Sequence, residues 1–261
     1  MVKINADESD PRRVALAFLA HPDDAEILCG GTLLRLSDLG WAIHVITASP
    51  GDMGAVDLSP DEIADVRRRE AAAAADVLGG SYRCLEERDV RVTFRRESID
   101  KAIDAFREIN PTLVFTHPRH DYMLDHEQTH LLARAAAFSF PIPHASALPL
   151  GEGARIPHLY YIDPIEGLDP YSGEPVTPTT VVDISAVLDR KVEALTCHAS
   201  QREWLRSHHG MDHYVESMRA HSASRGELIG TAAGEAFIQH RGHAFPADDL
   251  LGDVLGAVAP A

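Results

Sequence analysis

The segment AHPDDAEILCGG, residues 20 to 31, directly follows the apolar run Val14-Ala15-Leu16-Ala17-Phe18-Leu19, and this junction constrains the fold more than any other feature of the chain. The run reads as a buried strand, and the strand passes through His-Pro-Asp-Asp into a helix. One imidazole and two carboxylates are thereby placed at the strand's carboxyl end, the edge at which open α/β sheets bind ligands. His21 and Asp24 can share one divalent cation there, which leaves Asp23 free to act as a base. The same turn argues against a dinucleotide site. It lacks the Gly-rich loop that cradles pyrophosphate, and two carboxylates would repel one.

Strand and helix patterns alternate along the next hundred residues. After the strand Val14–Leu19, an amphipathic helix is expected over Ala25–Leu39, ended by Gly40, and then a strand over Ala42–Thr47. Ser59-Pro60-Asp61-Glu62 supplies an N-cap, a proline in the first turn and a capping-box Glu for a helix running to about Leu78. A short strand follows at Tyr82–Leu85, a helix at Glu97–Ile109 with Ile99, Ile103 and Phe106 on one face, a strand at Thr112–Thr116 and a helix at His126–Phe138. This alternation predicts an α/β fold, a Rossmann-like and mostly parallel sheet with helices on both faces. In that strand order Val14–Leu19 and Thr112–Thr116 are neighbours across the switch point, so the loops carrying His21–Asp24 and His117–His126 converge on one crevice.

Beyond Phe138 the prolines at 141, 143, 149, 157, 164, 170, 175 and 178 predict an irregular C-terminal wall, with strands at Leu159–Ile162 and Thr180–Val182. Helices are expected at Ser185–Thr196, Gln201–His208 and Tyr214–Arg225. A small apolar tail from Asp248 would pack on the body or on a partner subunit. We read the chain as one domain, residues 1–261, a length sufficient for a substantial core.

The formal charge of −16, from 40 acidic and 24 basic residues, disfavours nucleic acid as a partner. No apolar run approaches the ~18–20 residues of a membrane span, and the N-terminus lacks the apolar core of a secretory signal, so a cytoplasmic protein is expected. Cys29, Cys84 and Cys197 form no CxxC motif and no disulfide framework. Cys29, among apolar residues, reads as a small core residue.

AHPDDAEILCGGTL resembles the signature of the PIG-L/LmbE-like zinc-dependent N-deacetylases, which remove acetyl groups from N-acetylglucosaminyl compounds. The likeness continues through Ser49-Pro50-Gly51-Asp52-Met53-Gly54, Arg67-Arg68-Arg69-Glu70-Ala71 and Leu124-Asp125-His126, in the family's order and over roughly the first half of the chain. The resemblance implies a zinc site, or one for another divalent metal, completed by His126 as third ligand to His21 and Asp24. It implies Asp23 as general base and a small amino-sugar substrate, and a homo-oligomer as a candidate assembly. It aligns Arg67 with an arginine that contacts substrate, and Asp89, more loosely, with an acid that binds sugar hydroxyls.

One departure concerns the family's His-Pro-Asp-His pattern. This chain reads Met123-Leu124-Asp125-His126, so the histidine that helps stabilise the oxyanion or orient the base is absent. His120, His117 and the histidines between Cys197 and His213, including His198, His208, His209 and His213, are candidate replacements, as are Tyr122, a backbone N–H or water. Asp125 reads as an orienting group behind the ligands. Asp52 lies in a loop that could reach the crevice, and Trp204 with Gln201 is a candidate lid face. The readings carried forward are a sugar N-deacetylase, an amidase on a thiol-sugar conjugate, and a carbohydrate-binding protein that keeps the metal with little turnover. Phosphoester hydrolysis is weaker, because the sequence offers no second metal cluster.

Overall fold

A computed structural model describes residues 12–201 and 214–260. The expected strands form β1 (Val14–Leu19), β2 (Ala42–Thr47), β3 (Gly80–Cys84), β4 (Leu113–Thr116), β5 (His158–Ile162) and β6 (Thr180–Asp183), joined by an unanticipated β7 (Gly234–Gln239). They make one seven-stranded sheet in the order β3-β2-β1-β4-β5-β7-β6. The five strands from β3 to β5 are parallel, and β7 runs antiparallel to both β5 and β6. β1 pairs with β2 on one side and β4 on the other, so the switch point falls where the alternation placed it.

The unbroken apolar character of β1 follows from burial on both faces. Ala15, Ala17 and Leu19 pack with Leu33, Leu36, Val45 and Phe115 on one side of the sheet. Leu16 and Phe18 pack with Ile46, Phe106, Leu132 and Phe140 on the other. The covering helices are α1 (Asp24–Leu28), α2 (Gly30–Asp38), α3 (Pro60–Val77), α4 (Arg96–Ile109), α5 (Leu124–Ser139), α6 (Leu188–Thr196), α7 (Tyr214–Glu227) and α8 (Leu250–Leu255). The capping box of α3 forms as expected, with the Glu62 N–H donating to Ser59 Oγ and the Ser59 N–H to Glu62 Oε2.

Two differences from the sequence reading share one cause. The single helix expected over Ala25–Leu39 is broken at Cys29. The amides of Gly31 and Thr32 and the Thr32 hydroxyl all donate to the carboxylate of Glu235, at 2.8, 2.7 and 2.6 Å. An anion at a helix N-terminus is favourable, and this one is also paired with the fully buried Lys191 ammonium at 2.8 Å. Glu235 lies in β7, so the same buried carboxylate that starts α2 hides β7 from an apolar-pattern reading. Gly31 adds a steric requirement, because a Cβ there would lie 2.8 Å from the Ile184 side chain.

The Pro-rich region contributes both of its expected strands, β5 and β6, to the sheet, and its prolines flank them. Pro157 precedes β5, Pro164 follows it and Pro178 precedes β6. The apolar tail packs on the body: Leu251 of α8 is buried in the core, and Val258 exchanges backbone hydrogen bonds with Val181 of β6. The helix expected at Gln201–His208 lies outside the described residues except for Gln201. No helix among the described residues is long and apolar enough to cross a membrane.

Candidate metal and catalytic site

The carboxyl ends of β1 and β4 meet at Asp24, the first residue of α1. Its Oδ2 accepts the His21 backbone N–H at 2.8 Å, which folds the His-Pro-Asp-Asp turn back on itself. Around the carboxylate stand His117 Nε2 at 3.2 Å, His126 Nε2 at 3.7 Å and His21 Nδ1 at 3.9 Å. Burial alone would raise the Asp24 carboxyl, but His126, His117 and His21 together hold it well below the ordinary carboxylate range.

The residues at this point fit a divalent metal. Ligand atoms of His21, Asp24 and His126 lie within 4.8 Å of one another. His126 Nε2 is buried without a hydrogen-bond partner, while its Nδ1 is fixed by Asp121 Oδ1 at 2.9 Å. A ring anchored through one nitrogen and orphaned at the other is the arrangement expected of a histidine ligand. His21 is held similarly, its Nε2 lying 3.0 Å from Asp89 Oδ1 and 3.3 Å from Asp125 Oδ2. Burial would lower the His21 imidazole, but Asp125, Asp89 and Asp24 outweigh it and push it up to about 10. Two histidines, one carboxylate and an open cavity match the donor set of a catalytic zinc site.

Asp23 faces the same cavity by a different route. Its backbone is left-handed, with φ of 101°, a conformation that costs about 1–3 kcal/mol and is informative where it occurs. The Tyr214 hydroxyl donates to Asp23 Oδ2 at 2.6 Å, and Arg67 Nη2 lies 3.7 Å from the same oxygen. Burial pushes the Asp23 carboxyl upward, against the opposing pull of Arg67 and of the Tyr214 hydroxyl. Arg67 is buried, donating to Pro22 O at 2.8 Å and to Gly51 O at 3.3 Å. Gly51 makes room for it, since a Cβ there would lie 2.1 Å from Arg67 Nη1.

These groups open into a cavity of about 950 Å³ lined by His21, Asp23, Asp24, Arg67, Asp89 and His126. Asp125 stands behind them, accepting the Val90 and Val92 N–H groups at 2.7 and 3.1 Å while meeting His21. Asp89 both lines the cavity and orients His21. Asp52 does not line it. Its carboxylate accepts the Asp89 N–H at 2.8 Å and pairs with Arg88, so it supports the Asp89 loop from outside.

Of the candidate replacement histidines, His120 is turned away toward Asp169, 3.1 Å distant, and is absent from the cavity lining. His198 is buried against Glu26. His208, His209 and His213, with Trp204, lie outside the described residues. His117 does reach Asp24, but it accepts the Ala20 N–H and stacks on His126 at a centroid distance of 3.9 Å. Burial, with the His126 charge, pushes His117 down to about 4. Met123 lines the cavity where the imidazole was expected.

Sequence reasoning missed Tyr214 and Asp121 as parts of this site, and it missed His221 of α7 in the cavity wall. Asp121 was open to inference as a carboxylate five residues before His126, in the loop that leads into α5. Tyr214 meets Asp23 across 191 residues, and no local pattern announces that contact.

One consequence for stability lies just behind the site. His130 donates through Nδ1 to His117 O at 2.9 Å and is buried, and burial pushes its imidazole down to about 4. The unfolded chain takes up this proton near pH 6.5, whereas the folded chain resists it until about pH 4. The stabilisation is therefore complete above about pH 6.5 and is lost as pH falls toward 4, by roughly 3 kcal/mol for this residue. Urea unfolding of wild type and His130→Asn between pH 7 and 4 checks it. The substituted protein should lose less stability over that window.

The fold and the cluster define a class: an α/β protein with a His/Asp group that could hold a metal ion and a buried acid at the sheet's switch point. The family profile described as "PIG-L: GlcNAc-PI de-N-acetylase" matches residues 16–137. The chain is 30% identical over 217 residues to the diacetylchitobiose deacetylase of Thermococcus kodakarensis, covering 76% of this chain and 73% of that one. It is 28% identical over 201 residues to the 4-oxalmesaconate hydratase of Pseudomonas putida, covering 73% and 75%. The structure of N,N'-diacetylchitobiose deacetylase from Pyrococcus horikoshii superposes with a TM-score of 0.72 at 26% identity, covering 92% and 89%. The chain belongs to the PIG-L/LmbE-like family.

Proposed function

We propose that this chain is a zinc-dependent hydrolase that removes the acetyl group from an N-acetylglucosaminyl-type sugar or sugar conjugate. In this reading His21, Asp24 and His126 hold the metal and Asp23 is the general base. The observation that carries it is the pairing of an orphaned, anchored His126 nitrogen with a strained, buried Asp23 in one cavity. A zinc ion bound there supplies Lewis acidity, which acidifies water and polarises an amide carbonyl.

The protein's own groups do the rest. Tyr214 occupies one oxygen of Asp23, and the other, to which no described residue donates, takes the proton from water as its oxygen attacks the acetyl carbon. Burial favours the protonated acid that results, and Asp23 returns the proton to the departing nitrogen as the C–N bond breaks, giving acetate and a free amine. Arg67 opposes the upward push of burial on Asp23 and so favours its ionised form, and its place in the cavity wall also supports a contact with substrate. Asp89 lies at the wall where a sugar hydroxyl would reach it. Asp125 and Asp121 orient His21 and His126 as positioning residues. Asp52 acts at one remove by holding Asp89. A cytoplasmic setting and self-association belong to the same proposal.

A second reading, addition of water across an activated double bond, draws support from the hydratase relative and from Met123, which leaves the amide reaction without its expected imidazole. The same metal and base would serve it. Amine release from N-acetylglucosaminides, run beside absorbance loss from a conjugated unsaturated oxo acid, separates the two. The deacetylase reading expects turnover in the first assay only. Binding of sugars with no turnover in either assay would favour a carbohydrate-binding protein.

A further inference from the structure

The cavity has a second, apolar character at its mouth, which begins beside His126, where the Tyr122 ring stands edge-on at a centroid distance of 5.4 Å. The loops after β2, β3, β4 and β5 each set one large apolar side chain in its lining and leave it open to solvent: Met53 (41% exposed), Val90 (63%), Tyr122 (62%) and Ile165 (44%). Single exposed apolar residues are ordinary, but four converging on one cavity mouth form a patch of the kind that marks binding. Three of the chain's five methionines, Met53, Met123 and Met218, line the same cavity. Methionine suits walls that adapt to apolar ligands of varied shape.

Val90 adds an independent sign. Its φ is +56°, and a β-branched residue in left-handed backbone is a genuine outlier. In this conformation the Val90 N–H donates to Asp125 Oδ2 at 2.7 Å and to Asp89 Oδ1 at 2.9 Å, two carboxylates that also meet His21. Glycine or asparagine would satisfy that backbone without strain. The valine side chain is mostly exposed, so packing within the protein does not account for its presence. Strain kept at a cavity mouth points to a ligand.

We infer that Met53, Val90, Tyr122 and Ile165 form an apolar subsite for the part of the substrate beyond the acetamido sugar, so that the favoured substrate is an N-acetylglucosaminide with an apolar aglycone. The inference rests on the deacetylase reading for the sugar's placement. A molecule whose amide lies beside Asp23 and His126 shares one cavity with these four side chains, which are open to contact with the rest of its body. Among the described residues the rim carries no unpaired cation to recommend a phosphorylated or carboxylated aglycone: the one arginine they contribute to the lining, Arg67, sits beside Asp23.

The test compares octyl and methyl N-acetylglucosaminide for kcat/KM, together with titration of octyl and methyl glucoside, which carry no amide, below the micelle threshold. Each methylene removed from water strengthens binding about fourfold, so a few of them should favour the octyl compounds at least about 10-fold. Val90→Asn accepts the left-handed backbone, should raise Tm by about 2–4 °C, and should lower the octyl-to-methyl ratio about 3- to 10-fold. Ile165→Ser, on a different loop, should lower it too.

Octyl preference in titration, weakened by both variants, with no amine released from either glycoside would overturn the deacetylase reading and leave the apolar subsite standing. Equal affinity for the two glucosides, or a preference untouched by both variants, overturns the subsite whatever the turnover. A rim covered by a second copy of the chain would show concentration-dependent dimers that Val90→Asn abolishes, with equal glucoside affinities, and that result also overturns it.

Discussion

Replacing Asp23 with Asn is expected to leave zinc bound and to lower kcat by about 10²–10⁴-fold, the usual cost of losing a general base. Asparagine keeps the shape of the side chain and tolerates the left-handed backbone that residue 23 adopts. Its amide oxygen can still accept the Tyr214 hydroxyl. Only the proton acceptor disappears, so the loss should fall on kcat and leave KM nearly unchanged. Zinc content measured on the assayed sample keeps the two roles apart. Near-normal turnover in the metal-loaded variant would show that another group activates the water.

His126→Ala should remove the metal itself. The orphaned Nε2 would be gone, and two protein donors are too few for a tight zinc site. Loss of an outer-shell partner alone costs about 10–100-fold in metal affinity, and loss of a ligand should cost more. His126 lies in the first turn of α5, beyond the end of β4, so the sheet should remain intact and circular dichroism should match wild type. Elemental analysis after dialysis decides the point, and full zinc occupancy would remove His126 from the ligand set. His21→Ala and Asp24→Ala should behave alike, whereas His120→Ala, whose ring faces Asp169, should retain full zinc.

The contrast between these residues shows what was legible in the chain. His21, Asp23 and Asp24 announce themselves because strand, turn and helix follow one another directly, whereas the family resemblance supplied His126, at the start of the helix after the neighbouring strand. Local order suffices for the first three. It does not suffice for Tyr214, which reaches Asp23 from a helix near the other end of the chain, or for the exposed side chains that meet only at the cavity mouth. The fold divides the same way. Strands β1 to β6 were readable from apolar runs between turn residues. β7 was not, because Glu235 interrupts its apolar pattern, and the groups that satisfy this carboxylate, Lys191 and the amides of Gly31 and Thr32, come from distant elements. Asp52 was overextended for a related reason. Its loop does reach the crevice, but its carboxylate turns back to the Asp89 amide, a choice that spacing cannot reveal.

The central claim, that amide cleavage depends on a metal held by His21, Asp24 and His126, is tested most directly by chelation and reconstitution. Protein stripped of metal and assayed for amine release from an N-acetylglucosaminide should be inactive, and should recover on adding one equivalent of zinc per chain. The His126→Ala protein should not recover under the same conditions. Undiminished amine release from the stripped protein would contradict the account.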